Sequence, residues 1–265
     1  MCDCHHSSTT SQTTMPQRSK SSEPSAPVRL PGQRPTADER LFELPPAVEP
    51  EFTQTDPWRA LRILGEFVEG FDELADVGNA VTIFGSSRAR PDDPMYELAA
   101  ETARRFGQQG FTIITGAGPG IMESANKGAR AAGALSIGLN IELPQEQGAN
   151  AYLDRVINFR YFFVRKTMLV KYSCAFIFFP GGYGTLDELF EALTLIQTHR
   201  VRDMPVVLVG SAYWKPLIGW LRDVVAHEGR VAVGDLDLFR VSDDPGEVVR
   251  IVSDAVLPRP EGARR

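Results

Sequence analysis

The chain has 265 residues, enough for one large domain or two small ones, and at 43% hydrophobic and 23% charged it can bury a sizeable core. A formal charge of −6 argues against a general polyanion binder, so no nucleic-acid partner is expected. Three cysteines, two of them at positions 2 and 4, exclude a disulfide framework, and the apolar run Cys174–Phe179 stops at Pro180, far short of the about 20 residues that cross a bilayer.

No charged-then-apolar segment opens the sequence, and the expectation is a cytoplasmic protein with no membrane partner. Residues 1–37 hold seven Ser, five Thr and five Pro, with no aromatic residue and no Ile. Such a segment buries too little apolar surface to offset its ordering entropy, so residues 1–40 are expected to be a disordered tail. Cys2, Cys4, His5 and His6 are metal-ligand types, but four ligands within five residues fit no structural zinc spacing, and no metal site is expected. Residues 41–79 form a lead-in, punctuated by Pro45, Pro46, Pro50 and Pro57. Leu61, Leu64, Val68, Phe71 and Leu74 recur at three and four, which predicts an amphipathic helix over Trp58–Asp76.

From there β-branched and apolar runs alternate with helical stretches. Strands are expected at Val81–Phe84, Thr112–Thr115, Leu135–Leu139, Ala175–Phe179 and Val206–Val209, with a weaker one near Asn158. Helices are expected at Met95–Gln109, Ile121–Ala132, Tyr161–Tyr172, Leu186–Thr198, Trp214–Ala226 and Pro245–Val256. Wholly apolar strands separated by helices imply a parallel sheet covered on both faces. The expected fold is therefore α/β: a single Rossmann-like domain over residues 80–257, its doubly wound parallel sheet carrying helices on both faces, with residues 258–265 as a tail.

In such a fold ligands bind at the carboxyl ends of the strands, and three turns there are unusual. Gly85-Ser86-Ser87-Arg88 is either a turn rich in small residues or a place where N–H groups and Ser86 approach an anion or ribose. Gly116-Ala117-Gly118-Pro119-Gly120 brings backbone close to a ligand, with Gly118 at its centre, but it lacks the G-x-G-x-x-G spacing, which disfavours NAD. Pro180-Gly181-Gly182-Tyr183-Gly184-Thr185-Leu186-Asp187-Glu188 follows the buried run 176–179. It joins strand to helix through a glycine-rich loop, so N–H groups and the helix dipole would cradle a phosphate. Thr185-x-x-Glu188 is also a capping box with Thr185 at the N-cap, a role compatible with a carboxylate held at the mouth of a site.

The apolar segment 159–169 carries adjacent cations at Arg165 and Lys166, which are expected to face a cleft; Arg165 offers a planar fork for phosphate or ribose oxygens. No Walker A sequence, G-x-S-x-G elbow, H-E-x-x-H pair or clear Schiff-base lysine occurs, so ATP-driven phosphoryl transfer, Ser–His hydrolysis, zinc catalysis and pyridoxal chemistry are set aside. Cys174, at the start of a buried strand, is expected to be an inert thiol.

At these residues the sequence resembles the lonely-guy (LOG) family, formerly labelled lysine decarboxylase-like. The resemblance runs from about Ala80 to Val252 and rests on P-G-G-x-G-T-x-x-E at Pro180–Glu188 and on the Arg165–Lys166 pair. The turn 116–123 and the segment Leu143-Pro144-Gln145-Glu146-Gln147 add to it, while the family's usual Met-His-x-Arg-Lys is here Phe162-Phe163-Val164-Arg165-Lys166. The resemblance implies hydrolysis of the N-glycosidic bond of a purine nucleoside 5′-monophosphate, with N6-prenylated adenine or plain adenine as the base. It implies no cofactor, and a homodimer or larger assembly. It assigns catalysis to Arg165 and Glu188 and substrate binding to Gly181, Gly182, Tyr183, Gly184, Thr185, Asp187, Lys166, Thr194 and Glu146. A nucleotide or molybdenum-cofactor carrier on the same fold is the competing expectation, since fold does not fix function.

Overall fold

The structure, a computed structural model, describes residues 36–42, 51–142, 148–201 and 204–257. The tail with Cys2, Cys4, His5 and His6, and Glu146 in the 143–147 segment, lie outside the described residues. Seven strands form one sheet in the order β4-β3-β2-β1-β5-β6-β7, and every pairing is parallel. They are β1 (Ala80–Phe84), β2 (Thr112–Thr115), β3 (Ser136–Ile141), β4 (Arg155–Phe159), β5 (Ala175–Phe178), β6 (Val206–Leu208) and β7 (Arg240–Val241). The α-helices are α1 (Ala37–Phe42), α2 (Asp56–Glu73), α3 (Pro94–Gln108), α4 (Ile121–Ala131), α5 (Phe162–Lys171), α6 (Tyr183–Gln197), α7 (Ser211–Trp220) and α8 (Pro245–Val256).

The two-residue period of the strands sorts their side chains between two cores. Ala175 and Ile177 of β5 join Val81 and Ile83 of β1 beneath α3, α4 and α8, while Phe176 and Phe178 face the opposite layer with Trp214 of α7 and Leu189 of α6. On that second face Ile114 and Ile137 meet Val164, Met168 and Leu169 of α5. Each Val, Leu, Ile, Phe and Met among these side chains, 2% exposed or less, contributes about 1.5–3 kcal/mol by leaving water. Helices on both faces of a parallel sheet are the expected α/β architecture. Among the described residues no helix is long and apolar enough to cross a membrane.

Four details depart from the expectations. Ala37–Phe42 is helical, so the 1–40 boundary assigned to the tail cuts through an ordered element. On α2, Leu61, Leu64 and Val68 of the expected stripe are 58–59% exposed; of that stripe Leu74, just past the helix, is fully buried as expected, and the helix itself packs through Glu66 and Gly70. The absent side chain at Gly70 is the reason: a Cβ there would lie 3.1 Å from the methyl carbon of Met168 on α5, so the glycine sets the distance of approach. The stretch expected as one helix over 214–226 begins at Ser211 and turns π-helical over Leu221–Ala226, with Pro216 inside its α-helical part. Finally, β7 was not expected, because its two residues are exposed at the sheet edge and form no apolar run.

Candidate active site

The chain winds outward from β1 through β2 and β3 to β4, then returns to place β5 on the other side of β1. The switch point between β1 and β5 opens a crevice at their carboxyl ends, the usual ligand site of an open α/β sheet. The three unusual turns meet there. Ser86 N–H donates to the Pro180 carbonyl at 2.9 Å, and Ile121 N–H, at the start of α4, donates to the Ser86 carbonyl at 3.0 Å. Ser86 Oγ accepts from Arg88 N–H at 3.1 Å, so this hydroxyl stabilises its own turn.

The third turn differs from the capping-box expectation. Helix α6 begins at Tyr183 with Gly182 as its N-cap, and no side chain caps it. Thr185 is therefore the third helical residue, and Glu188 does not fold back on a Thr185 cap. The reason is steric: Thr185 is buried against Gly181, where a Cβ would collide with its Oγ1, so the Thr185 hydroxyl fills the loop's interior. The Gly181 carbonyl is held from outside by the Tyr213 hydroxyl at 2.5 Å. Around Gly182 and Gly184 the space is open, and Tyr183 is 93% exposed. The helix thus presents an uncapped, positively polarised N-terminus to the crevice.

Glu188 lies one turn further along α6 and is buried. Among the described residues its carboxylate makes no hydrogen bond or ion pair of its own. Burial raises it from the ordinary 4.5 to about 7, opposed by the charges of Lys166 and Arg165 and helped by those of Glu191 and Asp187. A carboxyl group poised near neutrality can exchange a proton at physiological pH.

The cations come from α5, whose N-terminus has no cap of its own. Two acidic residues from the segment before β1 supply what is missing. Glu66 Oε1 accepts from Arg160 N–H, and Asp38 Oδ2 accepts from Phe162 N–H at 3.1 Å. Burial raises both carboxyls, and these backbone bonds pull them back in part. One turn on, Arg165 donates from Nε to the Leu139 carbonyl at 2.6 Å and from Nη2 to the Gly116 carbonyl at 3.4 Å. A Cβ at residue 116 would collide with Nη2, so a larger residue there would push the guanidinium aside. Burial lowers the Arg165 guanidinium from its ordinary value, and the charge of Glu188 opposes this.

Lys166 is differently employed. Its ammonium lies 2.9 Å from Asp187 Oδ2 and 2.8 Å from Glu191 Oε2, with 16% of its side chain exposed. Burial pulls its pKa down, but the two carboxylates outweigh that and the net shift is upward. Lys166 and Asp187 are thus each other's partners, tying α5 to α6 beside Glu188. Gly118 sits at the crevice on the second turn, whereas Thr194 lies six residues beyond Glu188, exposed and bonded back to the Phe190 carbonyl. The structure brings together Ser86, Gly118, Gly181 to Thr185, Arg165, Lys166, Asp187 and Glu188, and leaves Thr194 apart. Sequence reasoning missed Glu191, although its spacing of four from Asp187 puts both on one helix face. Cys174 is partly buried and its thiol is pushed up to about 11, as expected of an inert cysteine.

Comparison with known proteins bears on this site. Residues 122–252 match the family described as "Possible lysine decarboxylase". The chain is 32% identical over 161 residues to the cytokinin riboside 5′-monophosphate phosphoribohydrolase of Mycobacterium tuberculosis, covering 59% of this chain and 84% of that protein. It is 27% identical over 180 residues to the rice protein named probable cytokinin riboside 5′-monophosphate phosphoribohydrolase LOG4, covering 66% of this chain and 76% of that one. Among solved structures, a structural-genomics target named TM1055 superposes with a TM-score of 0.52 at 22% identity, over 67% of this chain and 99% of that one. The molybdenum cofactor carrier protein of Chlamydomonas reinhardtii does so with a TM-score of 0.50 at 21% identity, over 68% and 99%. At these identities the two structures establish a shared fold.

Proposed function

The chain belongs to the lonely-guy (LOG) family, and from that premise we propose that it hydrolyses the N-glycosidic bond of a purine nucleoside 5′-monophosphate. The products are the free base and ribose 5-phosphate, and the preferred base is an N6-substituted adenine. The observation that carries the reading is the buried Glu188 carboxyl, held near neutrality beside the Arg165 guanidinium and one turn from an uncapped helix N-terminus.

The chemistry divides among these groups. The 5′-phosphate lies against the N–H groups of Gly182 to Thr185, where the α6 dipole favours negative charge. Arg165 orients the nucleotide and balances part of its charge. As the bond from the ribose anomeric carbon to the base nitrogen breaks, its electron pair leaves with the base and cationic character builds on the sugar. Ionised Glu188 stabilises that charge and takes a proton from the water whose oxygen bonds to the anomeric carbon. A proton from solvent completes the departing base. Lys166, paired with Asp187 and Glu191, keeps α5 and α6 in register so that Arg165 and Glu188 face one substrate.

The test is chromatography of AMP and of N6-isopentenyl-AMP after incubation with the wild-type protein and with Glu188→Gln. Free base from the wild type, with turnover reduced on the order of 10²-fold or more in the variant, is the expected result. Faster release from the isopentenyl nucleotide would support the substituted base, and faster release from AMP would make plain adenine the substrate. Binding of both nucleotides with no base released would overturn the reading in favour of a carrier.

A further inference from the structure

Ala117 has a φ of +66°, the left-handed region that a residue with a Cβ seldom occupies. Such a conformation persists where its surroundings over-determine it. Here they do so through a buried polar network. Ala117 N–H donates to Thr115 Oγ1 at 3.1 Å, and its carbonyl accepts from both Asn150 N–H at 2.9 Å and Asn150 Nδ2 at 3.0 Å. Asn150 Nδ2 also reaches the Gly118 carbonyl at 3.1 Å and Asn126 Oδ1 at 2.9 Å. Asn126 Oδ1 accepts in addition from the Thr115 hydroxyl at 2.8 Å, and Asn126 Nδ2 donates to Ser136 Oγ at 2.9 Å. Thr115, Ala117, Asn126 and Ser136 are fully buried.

The network has one outlet toward the site. The residue before Ala117 is Gly116, whose carbonyl accepts from Arg165 Nη2 and where a Cβ would collide with the same nitrogen. Rotation of Ala117 toward an ordinary negative φ would swing the 116–118 peptides and move that carbonyl. Arg165 would then keep the Leu139 carbonyl alone among its described partners, and a guanidinium held at one nitrogen can pivot.

We propose that Asn150, backed by Asn126, is a positioning residue: it holds Ala117 in the left-handed conformation and so fixes the Gly116 carbonyl that orients Arg165. The assignment rests on the reading of Arg165 as a group that acts on the nucleotide. Asn150 touches no reacting atom in it and works through the turn.

The test compares Asn150→Ala, Ala117→Gly, the double variant and Arg165→Ala, with base release from the nucleotide and thermal unfolding measured for each. Asn150→Ala is expected to lower kcat on the order of tenfold or more, with KM changed less, because the loop of Gly181 to Thr185 is untouched. Glycine adopts the left-handed region without a Cβ penalty, so Ala117→Gly in the Asn150→Ala background is expected to return most of the lost kcat. Because Ala117→Gly also relieves strain in the fold, the recovery is read as repositioning of Arg165 at a temperature where thermal unfolding shows Asn150→Ala fully folded. A recovery confined to temperatures where Asn150→Ala is partly unfolded would overturn the positioning role. Wild-type kcat in Asn150→Ala, with turnover lost in Arg165→Ala, would overturn the positioning role and leave the site reading standing. A loss in Asn150→Ala that Ala117→Gly does not relieve would overturn it as well. Wild-type turnover in Arg165→Ala would overturn the site reading and the positioning role with it.

Discussion

Glu188→Gln should make the protein more stable while it destroys activity, and the gain should depend on pH. Burial holds the folded Glu188 carboxyl near 7 against about 4.5 in the unfolded chain. A raised acid binds its proton more tightly in the folded state, so folded stability falls as pH rises from about 4.5 through about 7. At about 1.4 kcal/mol per pKa unit, the ionised side chain costs on the order of 3 kcal/mol at pH 8. At pH 5 the same linkage leaves under about 1 kcal/mol, because the folded carboxyl is then mostly protonated. Glutamine mimics the protonated form at every pH. The variant should therefore unfold at higher urea than the wild type at pH 8, by about 3 kcal/mol of extrapolated stability, with the gap closing at pH 5. A gap of the same size at both pH values, or a less stable variant at pH 8, would refute the claim that desolvation sets the state of Glu188.

The rate carries the same signature with the opposite consequence. If ionised Glu188 takes the proton from water, kcat/KM for the nucleotide rises with pH along a limb whose apparent pKa is about 7, and a flat profile between pH 5 and pH 8 would contradict that role. Gly181→Ala forces the new Cβ against Thr185 Oγ1 and should weaken AMP binding on the order of tenfold by calorimetry, through displacement of the loop proposed to hold the phosphate. Glu66→Leu removes the acceptor for Arg160 N–H before α5 and should cost about 1–3 kcal/mol in urea unfolding, whereas Glu66→Gln, which keeps a carbonyl oxygen there, should cost less.

How much of this was legible in the chain depends on the length scale over which each feature is encoded. The strands β1, β2, β5 and β6 are short apolar runs because both of their faces are covered, and they were readable from hydropathy alone. Strand β7 carries no such signal, since its two residues pair with β6 along one edge and face solvent. The stripe on α2 gave the helix and the buried Leu74 but not the rest of its buried face, because Gly70 and Glu66 decide the packing: one by absence of bulk, the other by reaching the backbone ahead of α5. The Thr185-x-x-Glu188 pattern misled for a related reason. A capping box is a local signature, and here the backbone of Gly182 starts the helix before it can apply.

Arg165 and Glu188 were findable because β5 alone separates their helices, so strand and turn logic carries both to one crevice. The groups that hold Arg165 are backbone carbonyls of Leu139 and Gly116, and a carbonyl has no residue identity to read. Asn150 lies 33 residues from the Ala117 it clamps, beyond the reach of any local pattern. Lys166 is the instructive case, since its sequence neighbourhood suggested a cation facing a cleft and the resemblance a substrate-binding residue, while the fold pairs it with Asp187 and Glu191. With Lys166 so engaged, the positive features that α5 and α6 offer to a phosphate are the N-terminus of α6 and the Arg165 guanidinium. Their alignment, governed by Gly181 and Thr185 on one side and by the turn at Gly116 and Ala117 on the other, is therefore the quantity on which proposed binding at the first turn and turnover at the second should depend. That makes the geometry of two glycine-rich turns, rather than the count of basic residues, the determinant to perturb.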